Sequence, residues 1–401
     1  MDPQDLPSHV AFPAAAAAPC PACGGSDTHS FYRLQGIPVH SCVLLEDADR
    51  AKAFPTGDLE LAACAHCGFI FNQLFDPARI DYSEDYVETQ GCSGTFRSFL
   101  EGTIQGLLKG RECANQLMVE IGCGRGDFLE QLCRAADARG IGIDPSSTAG
   151  RVDLRAGRGL SFLQESYSKK HLALDARAIF CRHTLEHLPK VQDLVALVFK
   201  HLESRSDNWT FFEVPDSLRI LKEGAFWDVY YEHCSYFSEA SLGRIFESAG
   251  FVIKDLDLVY GRQYLHLLAQ PGTCAADQAC KDPAQMLQAV QIFRGTCCAT
   301  IARWHKLLHG HPPGTVALWG SGSKATGFLT TVGNHDRIDC VVDINPDKHG
   351  RFVAGTGHEI VAPAALKGRP IRTLIIMNPI YTDEITTDVQ ALGLNPQVLT
   401  L

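Results

Sequence analysis

One stretch constrains this chain more than any other. Leu117-Met-Val-Glu-Ile121 reads as a buried strand, Gly122-Cys-Gly-Arg-Gly126 as a sharp glycine turn, and Asp127 to about Ala136 as a helix. The next strand, Gly140-Ile-Gly-Ile-Asp144, ends in an acid placed about 20 residues after the turn, and Ala178 to Cys181 and Thr210 to Val214 read as further strands. Strands alternating with helices imply a mostly parallel sheet covered on both faces. In such a unit the glycines let the backbone approach a ligand, and the helix presents free N–H groups and a positive dipole end. Asp144 can then accept hydrogen bonds from both ribose hydroxyls of an adenosine cofactor. The glycine pattern alone does not choose the cofactor, because NAD enzymes share it.

Ahead of this unit stand two C-x2-C knuckles, Cys20-Pro-Ala-Cys23 and Cys64-Ala-His-Cys67, with 40 residues between them. Four thiolates can surround one Zn²⁺ tetrahedrally, and each knuckle supplies two of them from a tight turn. Gly24, Gly25 and Gly68 follow the knuckles closely, as such turns need. A redox pair is the rival reading, but neither knuckle opens a helix in a βαβ unit. With the shell complete, the expected ion is structural. His40 and His66 are spare candidates. Other cysteines, such as Cys113, Cys133, Cys181 and Cys340, sit singly on apolar segments and read as small buried hydrophobes, and no special role is expected for the adjacent Cys297 and Cys298.

The formal net charge of −10 repels polyphosphate, so nucleic acid is not expected as a main partner. No run of about 18 apolar residues is present, so no transmembrane helix is expected. The first residues lack a basic n-region and an apolar core of signal-peptide type, which predicts a cytoplasmic protein. The expected units are a disordered leader over 1–15, a zinc-binding module over 16–80, an α/β domain over 81–271, a helical connector over 272–311 and a second α/β domain over 312–401. In the last, Val316-Ala-Leu-Trp-Gly-Ser-Gly-Ser-Lys324 is a strand, glycine turn and helix start, and Asp339-Cys-Val-Val-Asp343 is the next strand. The third glycine of a dinucleotide fingerprint is missing. Three uses stay open: a dinucleotide, a substrate phosphate held by Ser321, Ser323 and Lys324 at the helix N-terminus, or a scaffold that packs on the catalytic domain. Asn378-Pro379 is expected at the same sheet edge.

The most polar cluster is Trp227-Asp-Val-Tyr-Tyr-Glu-His-Cys-Ser-Tyr-Phe-Ser238. His233 could accept a proton near neutral pH, and Glu232 could orient an imidazole. By spacing alone a structural histidine is the commoner outcome.

The loop E-x-G-C-G-x-G at Glu120 to Gly126, Asp144-Pro145-Ser146, and Cys181-Arg-His-Thr-Leu-Glu-His-Leu-Pro189 together resemble class I S-adenosylmethionine methyltransferases. Adding the knuckles, Y-x-E-H-x-x-Y-F-S and the C-terminal domain, the order resembles the zinc-containing sugar C-methyltransferases of deoxysugar biosynthesis over nearly the whole chain. The resemblance implies an α/β architecture: a Rossmann-like methyltransferase sheet, an N-terminal zinc module and a C-terminal Rossmann-like domain. It implies that Glu120, Gly122, Cys123, Gly124, Gly126, Asp144, Pro145 and His183 line the S-adenosylmethionine site. His233 becomes the base for an enolisable carbon of a keto-sugar nucleotide, with His187, Tyr230 and Glu232 beside it. Tyr86, Tyr231, Ser321 and Lys324 become substrate-site residues, and Tyr82 and Tyr86 gate candidates. Two departures stand out. Pro38-Val-His-Ser41 replaces the family's P-L-A-N stretch, and Glu88 stands where an aromatic is expected. The rivals are a methyltransferase acting on O, N or C of another small metabolite, and a non-catalytic cofactor-binding protein. The expected partner is a small molecule, with a monomer or homodimer as the assembly.

Overall fold

The computed structural model describes residues 6–80, 90–147, 152–153, 159–272 and 283–401. Tyr82, Tyr86 and Glu88 lie outside these residues. The N-terminal module is antiparallel: β1 (Val10–Ala11), β2 (Thr28–Pro38), β3 (Thr56–Cys64) and β4 (Ile70–Asn72), with the short helix α1 (Ala48–Lys52) between β2 and β3. Residues 6–15 do not form the expected structureless leader. Val10 is buried and pairs with Leu34 on β2, and the Ser30 N–H donates to the Ala15 carbonyl at 2.9 Å. Pairing supplies partners for a stretch whose composition gave no strand signal.

The central domain begins with α2 (Gly94–Leu108), β5 (Leu117–Ile121), α3 (Asp127–Ala136), β6 (Arg139–Ile143), β7 (Val152–Asp153) and β8 (Leu160–Leu163). It continues with β9 (Ala176–Arg182), α4 (Val191–Leu202), β10 (Trp209–Pro215), α5 (Ser217–Glu223), β11 (Ser235–Tyr236), α6 (Glu239–Ser248), β12 (Phe251–Val259) and β13 (Tyr264–Pro271). The sheet order is β12-β13-β10-β9-β5-β6-β8-β7. Strands β10, β9, β5, β6 and β8 are parallel, and β12, β13 and β7 run against their neighbours. All five residues of β5 are buried, as expected for a strand covered on both faces. Helix α3 turns Phe128, Leu129, Leu132 and Cys133 to the core and stops at Asp137, which takes the left-handed conformation with φ 52°.

Strand β11 leaves this domain's sheet and adds to the N-terminal one, where Ser235 pairs with Phe71 and Tyr236 with Ile70. The expected connector is one helix, α7 (Ala284–His309), and it is a core element. Met286, Ala289, Phe293, Cys297, Ile301, Trp304 and Leu308 recur every three or four residues and are all buried. This stripe joins one apolar cluster with Tyr32 of the N-terminal module, Phe226 of the central domain and Phe328 of the C-terminal domain. The C-terminal domain has β14 (Val316–Trp319), α8 (Ser323–Val332), β15 (Ile338–Val342), β16 (Ile360–Val361), β17 (Thr373–Ile376), α9 (Thr382–Ala391) and β18 (Gln397–Thr400). Its sheet is parallel throughout, in the order β16-β15-β14-β17-β18. Cys113, Cys133, Cys181 and Cys340 are all buried. Among the described residues, no helix is long and apolar enough to cross a membrane.

Candidate active site and metal centre

The sulfurs of Cys20, Cys23, Cys64 and Cys67 lie within 4.8 Å of one another. Cys20 and Cys67 are 3.6 Å apart, and Cys23 and Cys64 are 3.7 Å apart. A tetrahedron with Zn–S bonds near 2.3 Å has edges of about 3.8 Å, so the cage fits one thiophilic ion with no open position. The two knuckles share one turn. Gly24 N–H donates to the Cys20 carbonyl at 2.8 Å, and Gly68 N–H to the Cys64 carbonyl at 2.9 Å. Both glycines are left-handed, with φ 73° and 71°. His40 is elsewhere, at Glu232.

The loop after β5 uses its glycines differently. A Cβ on Gly122 would lie 1.9 Å from Thr184 Oγ1, and one on Gly126 would lie 2.3 Å from the Phe162 ring. Those two are set by packing. Gly124, at φ 51°, has nothing within 4 Å of that position, and its N–H donates to Asp144 Oδ2 at 2.8 Å. Asp144 Oδ1 accepts from Ser146 N–H and Oγ–H at 2.7 and 2.6 Å. The acid is therefore oriented beside the open face of Gly124. Cys123 is buried under the loop, and Pro145 is exposed in the turn. Glu120, at the end of β5, is buried with no hydrogen-bond partner at Oε2, and burial pushes its carboxyl up to about 8. A buried acid with one unpartnered oxygen, beside an open glycine loop, suits a ligand carrying a cation and a ribose, which is the chemistry of S-adenosylmethionine.

At the adjoining strand ends, Glu213 of β10 is fully buried and faces three bases. Arg182 lies at 2.7 Å, His183 at 2.8 Å and His266 at 2.5 Å. Burial pulls the His183 imidazole down, but Glu213 and Glu186 outweigh it and push it up to about 10. His183 is thus a held cation with φ 48°, and it fronts the cleft described below. Glu186, His187 and His233 bring one ligand-type atom each within 4.8 Å of the others. Glu186 Oε2 is buried without a hydrogen-bond partner. The His187 and His233 rings meet edge to face at 4.8 Å, and Tyr230 meets His233 at 4.8 Å. Burial, with His187 beside it, pushes the His233 imidazole down to about 4, so it is neutral at physiological pH and offers a lone pair.

These groups open onto a cleft between the central and C-terminal domains. His183, His187, Tyr230 and His233 form one wall, and the turn Gly320 to Lys324 forms the other. Asn378 is at the same edge, where it accepts from Gln263 Nε2–H at 2.8 Å. Asp343, the acid a dinucleotide would need, is already engaged. It accepts from Ser321 N–H at 3.0 Å, Ser321 Oγ–H at 2.5 Å and Asn345 N–H at 2.8 Å, with Lys348 at 3.5 Å.

Three expectations need correction. Glu232 does not reach His233. It is buried against the N-terminal module, where it accepts from Ser41 N–H and His40 Nδ1–H at 3.0 Å and from Ser41 Oγ–H. Tyr231 is a packing residue: its hydroxyl accepts from Asp76 N–H at 3.1 Å, and its ring lies 2.4 Å from where a Gly57 Cβ would be. Lys324 is paired with Asp228 across the domain boundary rather than waiting for a phosphate. Sequence reasoning missed Asp228 and Glu213. Both stand inside the motifs quoted, but nothing in an irregular segment or at a strand end marks which acid turns inward.

Residues 107–256 match the methyltransferase domain family, and residues 306–394 match the family described as the C-methyltransferase C-terminal domain. The chain is 25% identical over 395 residues to the C-methyltransferase NovU of Streptomyces niveus, covering 91% of this chain and 90% of that one. Solved structures overlap it in part. The 1,6-didemethyltoxoflavin-N1-methyltransferase of Burkholderia thailandensis shares 17% identity over 45% of this chain and 79% of its own, with a TM-score of 0.34. The magnesium protoporphyrin IX methyltransferase ChlM of Synechocystis PCC 6803 shares 18% identity over 44% of this chain and 84% of its own, with a TM-score of 0.33. The two matched domains, in this order along one chain, make it an S-adenosylmethionine-dependent methyltransferase.

Proposed function

We propose that this enzyme methylates an enolisable carbon of a keto-sugar nucleotide, with His233 as the base. The observation that carries the reading is the meeting of His233, His187 and Glu186 in a cleft between two domains. The bound cofactor supplies a methyl group on a sulfonium centre. Gly124, Asp144 and Glu120 would hold it: the open glycine face admits the chain, Asp144 accepts from the ribose, and Glu120 faces the ammonium. Carbon is a poor nucleophile until a proton beside a carbonyl is removed. The neutral His233 imidazole takes that proton. His187 donates to the oxygen that gains charge, and Glu186 steadies the imidazolium formed. A buried site strengthens each of these interactions and keeps water off the carbanion. Lys348 and the N-terminus of α8 lie on the far wall of the cleft, where a phosphate group of the nucleotide could reach them.

The four cysteines would hold one structural Zn²⁺ that orders the two knuckles. The central test is solvent deuterium exchange into a nucleoside diphosphate 4-keto-6-deoxyhexose, with S-adenosylhomocysteine bound. The wild type should exchange the proton beside the carbonyl, and His233→Ala should lose about 10²–10⁴ in exchange rate while binding the homocysteine product normally. Equal exchange in the two proteins would remove His233 as the base.

A further inference from the structure

We propose that Asp228 is a positioning residue for the methyl-transfer site, and that Lys324 of the C-terminal domain locks it in place. The proposal rests on the reading above that Tyr230 and His233 face the acceptor.

A buried carboxylate is costly unless it is paired and hydrogen-bonded. Asp228 is 6% exposed, and its partners Arg219, Tyr230 and Lys324 all line the cleft. Its Oδ1 accepts from the Tyr230 hydroxyl at 2.9 Å and from Lys324 Nζ. Its Oδ2 accepts from Arg219 Nη2 at 2.5 Å, and Arg219 is held in turn by Glu223 at 2.8 Å. Burial pushes the Asp228 carboxyl up, but Lys324 and then Arg219 outweigh it, and the group stays ionised. The backbone is fixed as well. A Cβ on Gly327 would lie 2.8 Å from the Trp227 carbonyl oxygen, so α8 sits against the turn that carries Asp228 with no space between them.

A chain of contacts follows. Lys324 on one domain sets Asp228 on the other, Asp228 sets the Tyr230 phenol, and the Tyr230 ring packs on His233 at 4.8 Å. The hydrogen bond to Asp228 commits the Tyr230 proton and fixes the direction of its phenol. The C-terminal domain thus completes the reaction geometry without supplying a reacting group.

The test uses the full-length, zinc-loaded protein labelled with 3-fluorotyrosine and no acceptor. The Tyr230 resonance is assigned by its loss in Tyr230→Phe. It should shift in Asp228→Asn and in Lys324→Met, and return to the wild-type position in Lys324→Arg. A resonance unmoved in Lys324→Met overturns the proposal. With a nucleoside diphosphate 4-keto-6-deoxyhexose, Lys324→Met should lower kcat about 10- to 100-fold with KM little changed, as expected for a displaced catalytic group. It should add little further loss in a Tyr230→Phe background. A raised KM with kcat intact would make Lys324 a direct substrate ligand and sink the positioning role. A wild type inert towards that nucleotide removes the keto-sugar reading instead, and the fluorine result decides the positioning role by itself.

Discussion

Replacing Glu120 by glutamine should change how the stability of this enzyme depends on pH. The carboxyl has an ordinary value of 4.5, and burial lifts it to about 8 in the folded protein. Between those values the folded chain holds a proton that the unfolded chain has given up. The contribution is therefore fully present below 4.5 and is lost as pH rises through about 8. One pKa unit corresponds to about 1.4 kcal/mol, and linkage puts the loss between pH 6 and pH 8 at about 2 kcal/mol. Glutamine has no proton to lose. Its amide replaces an oxygen with no hydrogen-bond partner, so little else is broken. Urea unfolding of the zinc-loaded, cofactor-free protein at the two pH values measures this directly. Subtracting the variant from the wild type cancels every other titrating group. The expected result is a wild type that weakens relative to Glu120→Gln by about 2 kcal/mol between the two conditions. A difference that is the same at both would show that Glu120 is already ionised, and the account of the loop would have to change.

Three other outcomes are expected. Binding of S-adenosylhomocysteine near pH 7 should release protons, because a cation arriving at Glu120 ionises it; titration heats that do not vary between buffers of different ionisation enthalpy would contradict this. Metal analysis should find one zinc per chain, and Cys64→Ser should lose it together with cooperative unfolding, whereas a metal-free wild type of full stability would remove the centre. Glu232→Gln should destabilise the protein by about 3 kcal/mol, since it leaves the His40–Ser41 loop with a broken buried pair, yet retain deuterium exchange at the acceptor carbon. Loss of exchange without loss of stability would return Glu232 to the reaction.

How much of this was legible in the sequence depends on periodicity. β5, its glycine turn and α3 were readable because five consecutive buried positions, a turn and a helical stripe each leave a pattern within a few residues. The four cysteines were readable because their spacing is itself the geometry of the turn. The segment from Trp227 to Ser238 has no such period. Tyr230, Tyr231, Glu232 and His233 are consecutive, and their directions are set by partners far away in the chain: Glu232 by His40, 192 positions earlier, and Asp228 by Lys324, 96 positions later. Sequence reasoning could name the cluster but could not sort its members. The N-terminal strand was hidden for a related reason. Two residues, Val10 and Ala11, become a strand only because β2 is there to pair with them.

The pairing of β11 with β4 bears on how such enzymes can be recombined. Ser235 and Tyr236 lie two and three positions after His233, yet they are the last strand of the sheet that grows out of the cysteine knuckles. The Asn72 N–H also donates to the Cys234 carbonyl at 3.0 Å. Crossover points drawn near residues 80 and 272, where the chain looks divisible, would give a hybrid whose His233 segment borders on a foreign edge strand. Exchange between homologues should succeed when the knuckle sheet and the histidine segment travel from the same parent, even though some 160 residues separate them along the chain. The heritable unit of activity is then a pair of distant segments, and an engineer who shuffles whole domains will cut through it.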